Sequence, residues 1–183
     1  SHAYPNDKRM LGRVLAVRVR TASPDLLHVC AYFPPSTSKH AVKHTQLMLN
    51  WINQLFIKAP VRTIPLLYMD ANSHFGLDTA GVDDTRSSFD SDVMGKCNLG
   101  TENPVCELIR MSLESWNMVS SHTFRSLPPT FYSNICKGSI SFIDHIAIPR
   151  SLSESELHPI PRVYSKSGRK LQMMQSRALA DHV

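Results

Sequence analysis

The sequence predicts an α/β domain in which a mixed β-sheet is covered by helices. Short apolar runs of strand length recur along the chain, and two longer stretches switch to a helical period. Strands and helices alternate only loosely, so neighbouring strands can pair antiparallel as well as parallel. At 183 residues the chain is long enough to bury a sizeable core as one domain.

The elements follow in order. Residues 12–20 carry Val14, Ala16/Val17 and Val19 between Arg13, Arg18 and Arg20, a half-buried strand. Ser23-Pro24-Asp25 breaks it, and residues 26–33 form a second strand stopped by Pro34-Pro35, so the two make a hairpin. In residues 39–57 the apolar positions Val42, Leu47, Leu49, Trp51, Ile52, Leu55 and Phe56 suit an amphipathic helix that Pro60 ends, with Trp51 in the core. Residues 63–69 are a continuous apolar run, a buried strand feeding directly into Asp70.

Residues 76–100 are rich in Asp, Ser, Thr and Gly and read as one long loop, of a length that is often functional. Asn103-Pro104 opens a second helix running to about Trp116, also a core position. Met118-Val119, residues 130–133 and residues 141–148 supply further short strands, the last carrying Asp144 and His145 before Pro149 ends it. Residues 151–176 are polar and broken by proline; residues 177–183 return to a short apolar segment.

The net charge of +5 is concentrated in Lys8-Arg9, Arg13, Arg18 and Arg20 and again in Lys166, Arg169, Lys170 and Arg177. It is compatible with a polyanion partner as well as with a solvated surface. The four cysteines form no C-x-x-C unit and read as free thiols, which points to a reducing, intracellular compartment. No apolar run is long enough to span a bilayer, so a membrane partner is not expected.

The chemistry-bearing residues are scattered but ordered: Tyr32, Asp70-Ala71-Asn72-Ser73-His74, Asp144-His145 and Asp181-His182. Each group follows a β-like run, and residues just past buried strands are where open α/β sheets place ligand chemistry. Phosphodiester hydrolysis needs an activated water, charge neutralisation at the phosphoryl oxygens and a stabilised leaving alkoxide. The carboxylates Asp70, Asp144 and Asp181 suit a hard divalent ion, Mg²⁺ first and Mn²⁺ second. Asn72 can donate to a phosphate oxygen, and strand alternation would put it on the same side as Asp70. His182 can exchange protons near neutral pH, with Asp144 as its orienting partner. His74, two residues past Asn72, is a candidate for reaching substrate phosphate, against its reading as an exposed loop histidine.

These motifs resemble those of the endonuclease/exonuclease/phosphatase family. Its tyrosine strand is similar to residues 28–35, its Gly-Asp-x-Asn motif to Met69-Asp70-Ala71-Asn72, and its Thr-Phe/Trp strand to Thr130-Phe131-Tyr132-Ser133. Its Ile-Asp-Tyr motif resembles Ile143-Asp144-His145, and its Ser-Asp-His motif Ala180-Asp181-His182. Within the family, Gly95, Gly100 and Asn103 look like the Gly-x-x-x-x-Gly-x-x-Asn loop of the retroelement-type and craniofacial-development-protein-2-like endonucleases.

The resemblance implies a deoxyribonuclease I-like fold, two mixed sheets packed face to face and flanked by helices. It implies a tail over residues 1–11 and, over residues 12–183, a family domain incomplete at its N-terminal side, since nothing upstream of Tyr32 matches the family's Asn and metal-binding Glu. In the matching positions Tyr32 would contact the scissile phosphate, Asp70 would orient nucleophile or leaving group, and Asn72 would position phosphate. Asp181 would bind metal, Asp144 and His182 would form the acid/base pair, and Phe131 would line the substrate rim. Three positions depart from the motifs: Met69 adds a side chain that would press on the strand turn, Ala180 replaces a serine, and His145 stands where a tyrosine packs beside its Asp.

The expected function is divalent-metal-dependent hydrolysis of DNA by a monomeric, retroelement-derived endonuclease, a role compatible with the nucleus. Two alternatives stay open: a phosphatase or phosphodiesterase acting on a small-molecule or lipid phosphoester, and a nucleic-acid-binding remnant without cleavage.

Overall fold

The computed structural model describes residues 1–77, 93–97, 100–124, 131–132 and 140–154. In chain order these form β1 (His2–Ala3), β2 (Val14–Val19), β3 (Asp25–Tyr32), α1 (Ala41–Lys58), β4 (Thr63–Asp70), β5 (Gly76–Leu77) and β6 (Gly100–Thr101). There follow α2 (Pro104–Ser115), β7 (Met118–Ser120), a 3-10 turn (Ser121–Phe124), β8 (Phe131–Tyr132), β9 (Ile140–Ser141), β10 (Asp144–Pro149) and the short α3 (Arg150–Ser153).

One mixed sheet dominates, with strand order β1-β2-β3-β4-β10-β7. The expected hairpin is β2–β3, antiparallel, with Val14 opposite Ala31 and Val19 opposite Leu26. Because β3 and β4 run parallel, the chain must cross over between them, and α1 is that crossover. On the far side of β4, β10 returns antiparallel and β7 pairs beyond it. The segment ahead of Gly12, read from sequence as a tail, adds β1 at the outer edge of β2 and buries Met10. The loop expected over residues 76–100 begins and ends in a two-stranded parallel ribbon, β5–β6, while β8–β9 is a separate antiparallel pair.

Alternation along the strands decides the two faces of the large sheet. Val14, Ala16, Leu27, Val29, Ala31, Leu67, Met69 and Ala147 enter one core with Met48, Leu49 and Ile52 of α1 and Ile109 and Leu113 of α2. In α1 the buried positions Ala41, Thr45, Met48, Leu49 and Ile52 recur at helical spacing. The two helices touch through Phe56 and Trp116, rings 5.0 Å apart edge to face, and the Trp116 indole N–H donates to Asn53 Oδ1 at 2.9 Å. The opposite face carries Leu15, Val17, Val19 and Ile146, all substantially exposed, although it is apolar enough for a second layer. Among the described residues one large sheet and two small ribbons are present.

Asn103 shows how α2 starts where it does. Its side chain accepts the N–H groups of Val105 (3.0 Å) and Cys106 (3.1 Å), and Pro104 occupies a position whose N–H would go unused. The same amide group donates to Ser73 Oγ at 3.1 Å, tying the helix to the loop after β4. Asn103→Ala is expected to cost about 1 kcal/mol in stability, and Asn103→Asp much less, read from urea unfolding midpoints. Equal losses in the two variants would show that the cap is not the source of the effect.

Candidate active site

Tyr32 ends β3, Asp70 ends β4 and Asp144 begins β10. Parallel register sets Tyr32 opposite Asp70, and antiparallel register sets Asp144 opposite the same Asp70. Their neighbours Ala31, Met69 and His145 are buried in the core, so Tyr32, Asp70 and Asp144 stand on the sheet face turned away from the helices. Adjacent strands lie about 5 Å apart, so a phenol and two carboxylates form a row roughly 10 Å long. Tyr32 is 45% exposed, so its end of the row is open to a ligand.

Backbone hydrogen bonds lace these strand ends together. Phe33 N–H donates to the Asp70 carbonyl at 2.9 Å, and Ala71 N–H donates to the Ile143 carbonyl at 2.7 Å. Asn72 leaves the strand: its φ of 46° is left-handed, a conformation asparagine tolerates better than most residues. Its N–H donates to Asp70 Oδ1 at 2.9 Å, and its side-chain Nδ2 donates to the Phe33 carbonyl at 2.8 Å. The same-side placement expected from alternation therefore does not apply, because β4 has already ended. Asn72 instead sits beside Asp70 through a turn that Asp70 itself closes, and it retains one amide hydrogen and its Oδ1 for a ligand.

Two of the motif departures have structural explanations. Met69 is buried on the core face between Ala31 and His145, and the turn begins only after Asp70, so the added side chain fills core and does not press on the turn. His145 is buried and points away from Asp144, not beside it. Its Nε2 donates to the Phe142 carbonyl at 3.2 Å, which leaves Nδ1 as the acceptor facing Ser120 Oγ at 3.4 Å. Phe75 meets the His145 ring edge to face at 4.4 Å, and the His122 ring is also 4.4 Å away. Burial pushes His122 down to about 4 and holds His145 well below the usual imidazole range, so both rings are neutral near pH 7.

His74 is half-buried, not the exposed loop residue its sequence setting suggests, and burial lowers its pKa. It packs against Gly100, where a Cβ would come within 2.8 Å of the His74 Cβ. Gly95 is equally confined, since a Cβ there would meet the Thr123 carbonyl oxygen at 2.2 Å. The Gly-x-x-x-x-Gly-x-x-Asn pattern thus consists of two close backbone approaches and a helix cap. Phe131 lies in β8 opposite Ser141. Asp181, His182 and Ala180 lie outside the described residues. Cys30, Cys97 and Cys106 are free thiols as expected; Cys136 lies outside the described residues.

Arg13 joins the row, although sequence reading saw in it only part of a charge excess. Its carbonyl accepts the Tyr32 N–H at 2.7 Å, and its guanidinium lies over the Tyr32 ring, 5.4 Å from the centroid. Its adjacency to Tyr32 follows from the β2–β3 register, which no local pattern around Arg13 reveals.

No family model matches the chain, and no curated protein matches it in sequence. Among solved structures it is similar to the endonuclease domain of TRAS1, a telomere-specific non-LTR retrotransposon, with a TM-score of 0.50 and 16% identity over 76% of this chain and 52% of that one. It also matches a humanized D. rerio TDP2 carrying 14 mutations, with a TM-score of 0.40 and 11% identity over 74% of this chain and 44% of that one, too distant to bear on the fold. The chain spans about half the length of each. The fold is α/β and deoxyribonuclease I-like. No described helix is long and apolar enough to cross a membrane.

Proposed function

We propose that the chain carries a phosphodiesterase site of the endonuclease/exonuclease/phosphatase type that hydrolyses DNA with the aid of Mg²⁺ or Mn²⁺, as part of a monomeric, retroelement-derived endonuclease. The observation that carries this reading is the register that aligns Tyr32, Asp70 and Asp144 on three adjacent strands, with Asn72 tied to Asp70. The donor set fits a hard cation: Mg²⁺ takes one or two carboxylates and fills its remaining positions with water and substrate oxygens. Asp70, with Asp181 by resemblance, would hold it. When bound, the ion supplies charge neutralisation at the phosphoryl oxygens.

The protein's own groups have separate tasks in this reading. The Tyr32 hydroxyl donates to a non-bridging phosphate oxygen, and the remaining Asn72 amide hydrogen steadies a second one. His182 takes the proton of the attacking water, and Asp144 supports the imidazolium that results.

A second reading is nucleic-acid binding without cleavage, which the net charge of +5 would serve without any hydrolytic chemistry. Incubation with supercoiled plasmid, an abasic duplex and small phosphodiesters, with Mg²⁺ or with EDTA, separates the possibilities. The expected result is EDTA-sensitive nicking of DNA with the small diesters left intact. DNA binding without nicking would select the second reading, and hydrolysis confined to small diesters would overturn the choice of substrate.

A further inference from the structure

The described arginines differ in what holds them. Arg9 pairs with Asp7, Arg62 with Asp25, and Arg110 with Glu102 and Glu114. Arg13 and Arg18 have no carboxylate partner among the described residues, and each has a buried guanidinium nitrogen without a hydrogen-bond partner, Nη1 in Arg13 and Nε in Arg18; of the two, Arg13 is the one beside Tyr32. A guanidinium nitrogen removed from water and left unpaired costs free energy that a bound anion would offset. The Tyr32 ring beneath the guanidinium holds it by a cation–π contact, which fixes its plane without consuming its N–H donors.

Position adds to this. Val14 pairs with Ala31, so Arg13 lies just past the end of β2 at the level of Tyr32. Across β2, β3, β4 and β10 the order at this sheet end is therefore Arg13, Tyr32, Asp70, Asp144. A cation and a phenol occupy one side of the row and two carboxylates the other. An oligoanion lying along such a row has one phosphate over Tyr32 and Asp70 and the next toward Arg13. Arginine is the side chain whose forked, always-charged donors match a phosphate.

We propose that Arg13 is a substrate-binding residue that takes the backbone phosphate neighbouring the one attacked and so sets the line along which the strand crosses the site. This rests on the phosphodiesterase reading above. Tyr32 has two tasks in consequence: its hydroxyl faces the reacting phosphate, and its ring carries Arg13.

The test is the salt dependence of binding to a fluorescein-labelled DNA duplex, followed by anisotropy between 50 and 200 mM salt for the full chain. Each phosphate contact contributes about 0.9 to the slope of log K against log salt. Arg13→Met is expected to lower the slope by about 0.9, and Arg13→Lys to preserve it. Arg20→Met is the control: Arg20 lies at the other end of β2, roughly 20 Å away at 3.3 Å per residue, and should leave the slope unchanged. If Arg13→Met melts lower than the unaltered chain, Arg13→Gln, which keeps a polar end, takes its place. An unchanged slope in the neutral Arg13 variant, or equal losses at Arg13 and Arg20, would overturn the proposal while leaving the phosphodiesterase reading intact. Absence of any salt-dependent binding by the unaltered chain would overturn both.

Discussion

Asp70→Ala is expected to reduce Mg²⁺-dependent DNA cleavage by at least about 100-fold, the scale of losing a positioned group in the reaction. Asp70 is the middle of the row, opposite both Tyr32 and Asp144, and its Oδ1 closes the turn that holds Asn72. Alanine removes the carboxylate and unties Asn72 at once. Asp70→Asn separates these effects, because its amide oxygen can still accept the Asn72 N–H while its charge is gone. Both variants should lose cleavage, and only Asp70→Ala should also lose about 1 kcal/mol of stability with the turn's hydrogen bond. Cleavage retained in Asp70→Asn would remove the carboxylate from the mechanism; the paired unfolding and nicking measurements distinguish a broken site from a broken turn.

Acidification should destabilise the fold between about pH 6.5 and pH 4. His122 is pushed down to about 4 and His145 further, both first by burial. An unfolded chain takes up these protons as the pH drops below the ordinary imidazole value, near 6.5, whereas the folded one does so only at the lower value. The stability associated with the neutral rings is therefore complete above about pH 6.5 and is lost progressively as the pH falls toward 4. For His122 alone the loss is roughly 3 kcal/mol, and His145 adds to it. Burial also pushes the Glu102 carboxyl up despite its Arg110 partner, and this smaller effect opposes the trend. Urea unfolding at pH 7 and pH 4.5 measures the sum. His122→Gln should flatten the dependence over this window, and an undiminished pH effect in that variant would mean that other groups carry it.

The same histidines show where sequence reading stopped. In sequence His122 belongs to none of the motifs, and His145 is only the neighbour of Asp144. The β7–β10 pairing turns His145 inward toward Ser120, and the 3-10 turn after β7 brings His122 against it. That association joins residues 23 positions apart and depends on which face of β10 is buried. Periodicity cannot show it in a strand whose inward residue is polar.

The elements were more accessible. The β2–β3 hairpin, both helices, the strand feeding Asp70 and the strand carrying Asp144 were all legible, because each has its own apolar period and the chain marks their boundaries: Pro34-Pro35, Pro60 and Pro149 end elements and Asn103-Pro104 begins one. Asn72 was legible as a site candidate but not in its conformation, since strand alternation holds only while the strand continues and Asp70 ends it.

Sequence by itself determined the class of fold, the identities of Tyr32, Asp70, Asn72 and Asp144 as candidates, and the position of Tyr32, Asp70 and Asp144 on strands. Those follow from local patterns of burial and from side-chain chemistry. Only the tertiary structure decided that β3, β4 and β10 are neighbours in the register that lines up Tyr32, Asp70 and Asp144, that Met69 fills core, and that Arg13 lies over Tyr32. Strand order and register are set by which crossovers and edges bury the most apolar surface together, a property of the whole chain that no segment carries alone.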